Sequence, residues 1–255
     1  MRITRTVAET RAALRGAENV GLVPTMGAYH AGHLSLFRAA REECETVVVS
    51  LFVNPAQFGE DGDLARYPRD EAHDAGLAEK HGVDLLFAPA VDELYPPGFE
   101  TWVEVEKASR RLEGEHRPGH FRGVATICLK LFNIVRPRRA YFGQKDAQQV
   151  EVLRRMIRDL NLELELRVLP TVRDPDGLAL SSRNALLTPE ERRRALALPR
   201  ALATKDPAQA ETLLDGLDVD YVKVAPFDPP ALVAAIRIGS IRLIDNVTLD
   251  QGDSQ

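Results

Sequence analysis

Cysteine is nearly absent: 255 residues include only Cys44 and Cys128. Two thiols so far apart, with no CxxC spacing, exclude a disulfide-stapled scaffold and a cysteine zinc site. They suit buried thiols in a reducing cytoplasm. Long apolar runs are missing too. The stretch "VVVSLFV" has the length of a buried strand and falls far short of a membrane span. The start, "MRITRTVAETRAAL", sets Arg2, Arg5, Glu9 and Arg11 where a signal peptide needs hydrocarbon. Positive charge is not in excess. A net charge of −5 argues against nucleic acid as the main partner, because phosphate backbones demand a basic footprint. An anionic ligand must therefore be met by a local cationic pocket. Internal repeats and low-complexity tracts are absent as well.

What remains is an alternation of apolar strands and helices. Thr6 and Glu9 form a capping-box pattern opening a helix that reaches about Arg15. Strands are predicted at Val20–Val23 and Thr46–Val53, with a helix over Leu34–Glu43 between them. A helical stretch over Leu64–Lys80 leads to the strand "VDLLFAP". Then follow a candidate strand "TWVEVE", the apolar helix "GVATICLKLFNIV", the strand "RAYFG", the helix "AQQVEVLRRMIRDL" and the extended "LELELRVLPTV". This order predicts an α/β fold: a Rossmann-like, doubly wound parallel sheet covered on both faces.

After Asp174 the texture changes. "DPDGLALSSRN" is a turn-rich hinge, and Thr188, Pro189 and Glu191 mark a new helix start. Beyond it the pattern predicts a helix near Ala208–Leu217, a strand "DYVKVA", a helix "PALVAAIR" and a strand "IRLIDNVTL". The expected division is 1–172 for the Rossmann-like domain and 173–255 for a smaller α+β lid.

Between the first strand and its helix lies "PTMGAYHAGH", residues 24–33. In an open parallel sheet, ligands bind beyond the carboxyl ends of the strands, where helix N-termini offer free N–H groups and a positive dipole end. Gly27 and Gly32 let the backbone approach a ligand, and His30 and His33 can donate to phosphate oxygens. The plainer reading is that one histidine caps the helix and the other is merely exposed. For an isolated HxGH that reading is preferred, because short motifs arise by chance.

The motif is not isolated. It resembles the HxGH signature of the nucleotidylyltransferase-like superfamily, and "LALSSRN" supplies the distant basic, serine-containing loop that accompanies it. "SLFVNPAQF", "RYPR", "RPGHFRGV", "FGQKDAQQ", "GLALSSRN" and "RLIDN" follow in the order found in the pantothenate synthetase (pantoate–β-alanine ligase) family. This resemblance covers nearly the whole chain. It implies an ATP-dependent condensation of (R)-pantoate with β-alanine to pantothenate, AMP and diphosphate through pantoyl adenylate.

The resemblance also implies roles. ATP would be met by Met26, Gly27, Ala28, Tyr29, His30, Ala31, Gly32 and His33. It would also be met by Gly143, Gln144, Lys145, Asp146, Val172, Leu180, Ser181, Ser182 and Arg183. Of these, His33, His30, Lys145, Ser182 and Arg183 would carry the chemistry. Gln57 and Gln149 would bind pantoate, and Gln57 also β-alanine; amides suit this, since each both donates and accepts. Asn54 is expected to secure its loop. His120 and Arg122 read either as a cationic rim or as a brace for the fold or a subunit contact, and the brace is preferred. Magnesium is implied as the companion of ATP, with no protein metal cage, and a homodimer is implied as the assembly. A phosphopantetheine or nicotinamide-nucleotide adenylyltransferase, a tRNA synthetase and a non-catalytic nucleotide sensor are the competing readings. Gln57 and Gln149 favour pantoate, the acidic balance disfavours tRNA, and the joint presence of His33, Lys145, Ser182 and Arg183 disfavours a sensor.

Overall fold

The computed structural model describes residues 1–59 and 63–249. The chain forms two compact units: residues 1–142 with 152–169, and residues 143–151 with 170–255.

Six strands make the sheet of the first unit: β1 (Arg2–Thr4), β2 (Val20–Thr25), β3 (Thr46–Leu51), β4 (Leu85–Phe87), β5 (Arg139–Gly143) and β6 (Glu165–Leu169). Their spatial order is β1-β4-β3-β2-β5-β6. The pairs β1–β4, β4–β3, β3–β2 and β2–β5 are parallel. Chain order runs outward from β2 through β3 to β4, then resumes at β5 on the other side, so the direction of winding reverses between β2 and β5. The carboxyl end of β2 is thus a topological switch point. Val47, Val48 and Val49 of β3 are all fully buried, as a central parallel strand requires. Val23, Phe37, Ala40, Val49 and Leu86 belong to the apolar cluster that holds the helix Ala31–Glu43 on the sheet.

One strand lies outside the expectations, and two expectations need correction here. β1 has no sequence signature, because the three residues "RIT" are too few to carry a strand pattern; it exists through its pairing with β4. The predicted helix over 64–80 is two pieces, Asp63–Arg66 and Glu71–Lys80. Pro68 disfavours a helical residue before it, and Asp70 starts the second piece by accepting the His73 N–H at 3.0 Å. "TWVEVE" forms no ladder among the described residues; the Val103 N–H donates to Thr126 Oγ1 at 3.0 Å instead.

The helix His120–Val135 is apolar almost all round and correspondingly buried. Cys128 sits on it, and burial pushes its thiol up to about 12. Iodoacetamide applied to the native protein at about pH 8 should leave Cys128 unmodified, because the thiolate is the nucleophile. Peptide mass spectrometry before and after unfolding checks this, and native alkylation at Cys128 would contradict its packing.

The second unit carries an antiparallel sheet of β7 (Asp218–Ala225), β8 (Ala231–Ile238) and β9 (Ile241–Thr248). Alternate β8 residues Leu232, Ala234, Ile236 and Ile238 cluster with Ala195, Leu198, Leu202, Ala210 and Leu214 of the helical stretch before it. The predicted helix "PALVAAIR" is therefore β8. Nearly every residue of this run is buried, so its apolar pattern lacks the period that separates strand from helix. Among the described residues no helix is long and apolar enough to cross a membrane.

Candidate active site

The predicted site residues divide between the two units: Met26–His33 and Gln57 in the first, Gly143–Asp146, Gln149, Val172 and Leu180–Arg183 in the second.

In the first unit the chain leaves β2 at Thr25, whose Oγ1 donates to the Ser50 carbonyl at 2.6 Å. It then turns through two left-handed residues, Gly27 (φ 87°) and Ala28 (φ 53°). What holds the turn is Asp74, buried to 1% exposure on the helix Glu71–Lys80. Its carboxylate accepts the N–H of Ala28 at 2.8 Å and of Tyr29 at 2.9 Å. A Cβ at Gly27 would lie 2.7 Å from both Asp74 Oδ2 and Leu51 Cδ1, so the clamp needs glycine there. Nothing in the sequence marks Asp74 for this task. Its partners lie 45 and 46 residues away, and within "DEAHDAGLAEKHG" it reads as one more solvated charge. Tyr29 packs edge-on against Phe37 with ring centroids 5.1 Å apart, which turns its ring into the core.

His30 is the N-cap of the helix Ala31–Glu43, and His33 is its third residue. His30 Nδ1 accepts the Gly32 N–H at 3.2 Å, and His33 Nδ1 accepts the His30 N–H at 3.3 Å. The two imidazoles thus form a reciprocal capping box, the place usually taken by Ser/Thr and Glu/Gln. The plain reading, that one histidine caps, is half of what happens: both do. Acceptance at Nδ1 places the proton of each neutral ring on Nε2. Each histidine is thereby fixed as an Nε2–H donor at a helix N-terminus.

Gln57 follows in the short 3-10 turn Pro55–Gln57. Its Nε2 donates to Met26 Sδ at 3.3 Å, and its Oε1 accepts from Asn54 Nδ2 at 2.9 Å, which ties it to the loop preceding the histidines. Asn54, 1% exposed, also donates to the Gly123 carbonyl at 3.2 Å and accepts the Ala56 N–H at 3.3 Å. His120 Nδ1 donates to the Gln57 carbonyl at 2.9 Å, so His120 braces this turn.

In the second unit, Gln144–Asp146 is a 3-10 turn directly after β5, with Lys145 Nζ 3.5 Å from Asp146 Oδ1. Gln149 is the third residue of the helix Ala147–Asp159. Residues 172–180 close a hairpin: the Leu180 N–H donates to the Val172 carbonyl at 3.0 Å, Arg173 bridges Ala179, and the Asp174 N–H donates to the Leu178 carbonyl at 2.8 Å. Arg192 donates to Asp174 at 2.6 Å and Asp176 at 2.8 Å, and its hydrogen bond holds the Asp176 carboxyl below the usual range. Ser181 caps the turn Ser182–Leu186 by accepting the Arg183 N–H at 3.3 Å.

The first unit thus carries a strand-to-helix turn with two Nε2–H donors, and the second carries a lysine turn and a capped Ser-Arg loop. The family model described as pantoate–β-alanine ligase matches residues 2–248. The chain belongs to that family. It is 49% identical over 294 residues to the pantothenate synthetase of Acidobacterium capsulatum, covering 98% of each chain. To that of Chloroflexus aurantiacus it is 51% identical over 277 residues, covering 98% of this chain and 99% of the other. The crystal structure of pantothenate synthetase from Thermus thermophilus superposes with a TM-score of 0.93 at 47% identity, covering 97% of this chain and 99% of that one. The pantoate–β-alanine ligase of Francisella tularensis, solved in complex with β-γ ATP and β-alanine, superposes with a TM-score of 0.87 at 34% identity over 97% of both chains. The enzyme is a ligase that joins pantoate to β-alanine to make pantothenate.

Proposed function

We propose that the reaction runs in two steps through pantoyl adenylate, with ATP as the activating substrate. A pantoate carboxylate oxygen attacks the α-phosphorus, the α–β phosphoanhydride breaks, and diphosphate leaves with the bonding pair. The amine of β-alanine then attacks the acyl carbon, loses a proton, and AMP departs. Carboxylate is already a nucleophile, so neither a catalytic serine nor a cysteine is needed. The task is to align mutually repelling anions and stabilise the charge that builds on diphosphate.

In this reading His30 and His33 donate Nε2–H to triphosphate oxygens, His33 to the departing diphosphate. Lys145 neutralises the β- and γ-phosphates as a compact charge, and Ser182 and Arg183 bind the same chain of phosphates. Backbone groups of Met26 to Gly32, Gly143, Gln144, Leu180 and Ser181 line the nucleotide, with Val172 reading adenine. Gln57 and Gln149 bind the hydroxyls of pantoate, and Gln57 then β-alanine. The observation that carries the reading is the histidine capping box, which fixes both rings in the donor tautomer.

Among the described residues no group of three or more His, Cys, Asp or Glu is arranged to hold a metal ion. On the family resemblance Mg2+ would accompany ATP, held mainly by phosphates and water, with the Asp146 carboxylate, 3.5 Å from Lys145 Nζ, as the protein oxygen beside it. When bound it would offset the charge of the triphosphate. The proposed assembly is a homodimer, on the family resemblance, and the proposed compartment is the cytoplasm, which suits two free buried thiols. Pantoate with Mg-ATP, and no β-alanine, should support exchange of labelled diphosphate into ATP. Strict dependence of that exchange on β-alanine would sink the adenylate.

A further inference from the structure

The block "RLIDN" has no role in the chemistry above, yet its last two residues hold the lysine turn and the arginine at the base of the hairpin that leads to Ser181. Asn246 is 4% exposed on β9. Its Nδ2 donates to two successive carbonyls, Gln144 and Lys145, each at 2.9 Å, and its Oδ1 accepts from Gln144 Nε2 at 3.2 Å. Both amide hydrogens and the amide oxygen are thereby engaged, a set that aspartate, lacking donors, cannot reproduce. The neighbouring Asp245, 2% exposed, takes the fork of Arg173 at 2.6 and 3.1 Å and accepts the Asn246 N–H at 2.8 Å. Arg173 opens the hairpin that leads to Ser181, Ser182 and Arg183. The pairings Ala234↔Asp245 and Val233↔Asn246 fix this dipeptide in the ladder, a rigid support rather than a loop.

We infer that Asn246 is a positioning residue for Lys145, and that Asp245 does the same through Arg173 for the Ser182–Arg183 turn. Asn246 does not touch substrate. It sets the backbone from which Lys145 projects, so that the ammonium meets the phosphates at one distance instead of several. The inference rests on the phosphate role proposed for Lys145.

The test is a double-mutant cycle of Asn246→Ala and Lys145→Ala, read in pantoate-dependent diphosphate exchange. Asn246→Ala should slow exchange by roughly tenfold or more, as loss of a buried hydrogen-bonding group does. The double variant should be no slower than Lys145→Ala alone to within about twofold, because a residue that acts through Lys145 has nothing to add once Lys145 is gone. Attack of β-alanine on supplied pantoyl adenylate should stay within about twofold of wild type, since the β- and γ-phosphates have already left. If Asn246→Ala loses its near-UV dichroism, Asn246→Ser, which keeps a hydroxyl, takes its place in the cycle. Independent losses that multiply in the double variant, equal damage to both half-reactions, or undiminished exchange in the single variant would each overturn the inference. A Lys145→Ala variant with wild-type exchange would overturn it together with the role of Lys145, whereas wild-type protein that exchanges no diphosphate would strike at the adenylate reading itself.

Discussion

His33→Ala should depress adenylate formation by roughly a hundredfold or more, the effect of removing one donor aimed at developing charge. The reason is differential: diphosphate gains charge as it departs, so a bond from His33 Nε2–H strengthens toward the transition state and lowers the barrier instead of merely tightening binding. ATP affinity should fall less, because His30, Lys145, Arg183 and the helix N-terminus remain. The second half-reaction should be nearly spared. His33 also accepts the His30 N–H, so the alanine variant loses half of a capping box, at a cost of about 0.5–2 kcal/mol. His33→Gln separates the two effects. Glutamine at the third helical position restores a capping box, and should recover the melting temperature without recovering the rate. Single-turnover measurement of each half-reaction decides. Recovery of rate by His33→Gln, or equal damage to both steps by His33→Ala, would reduce His33 to a prop for the loop.

Gly123→Ala should also be harmful, though Gly123 lies in the first turn of a helix and alanine is the better helix former by up to about 1 kcal/mol. A Cβ at this position would fall 2.3 Å from the Ala56 carbonyl oxygen and 2.6 Å from the Gln57 nitrogen, both backbone atoms that no rotamer change can move aside. The helix and the turn Pro55–Gln57 would have to separate. Overpacking of this kind costs roughly 1–3 kcal/mol, enough to lower the melting temperature by several degrees. Gln57 would shift with its turn, so the apparent KM for pantoate should rise about tenfold while that for ATP changes little. An unchanged melting temperature and pantoate KM would show that helix and turn are not in the contact described.

What the sequence discloses and what it hides follows from distance along the chain. The HxGH turn is local: spacing, glycines and a cap within ten residues mark it, whereas the lysine turn and the Ser-Arg loop take their roles from the resemblance alone. Gln57 and Gln149 are legible only by resemblance, since an isolated glutamine has no signature. Asp74 and Asn246 are the opposite case. Each acts on backbone 45 or more residues away, through contacts that propensity and periodicity do not register. β8 was misread for a different reason: burial of almost the whole strand erased the alternation by which strands are known. β1 was missed because a three-residue strand exists by virtue of its neighbour.

The attachment of Gln144 and Lys145 to Asn246 has a temporal side. On the ribosome the lysine turn is made 101 residues before the amide that anchors it. At about 5–20 residues per second, that leaves roughly 5–20 s in which the two carbonyls must be solvated by water instead. The segment 143–151 is translated between two pieces of the first unit but joins the second. The first unit can therefore assemble around an insert that is still waiting, and a stop codon ahead of β9 would leave a nascent chain whose lysine turn never receives its anchor.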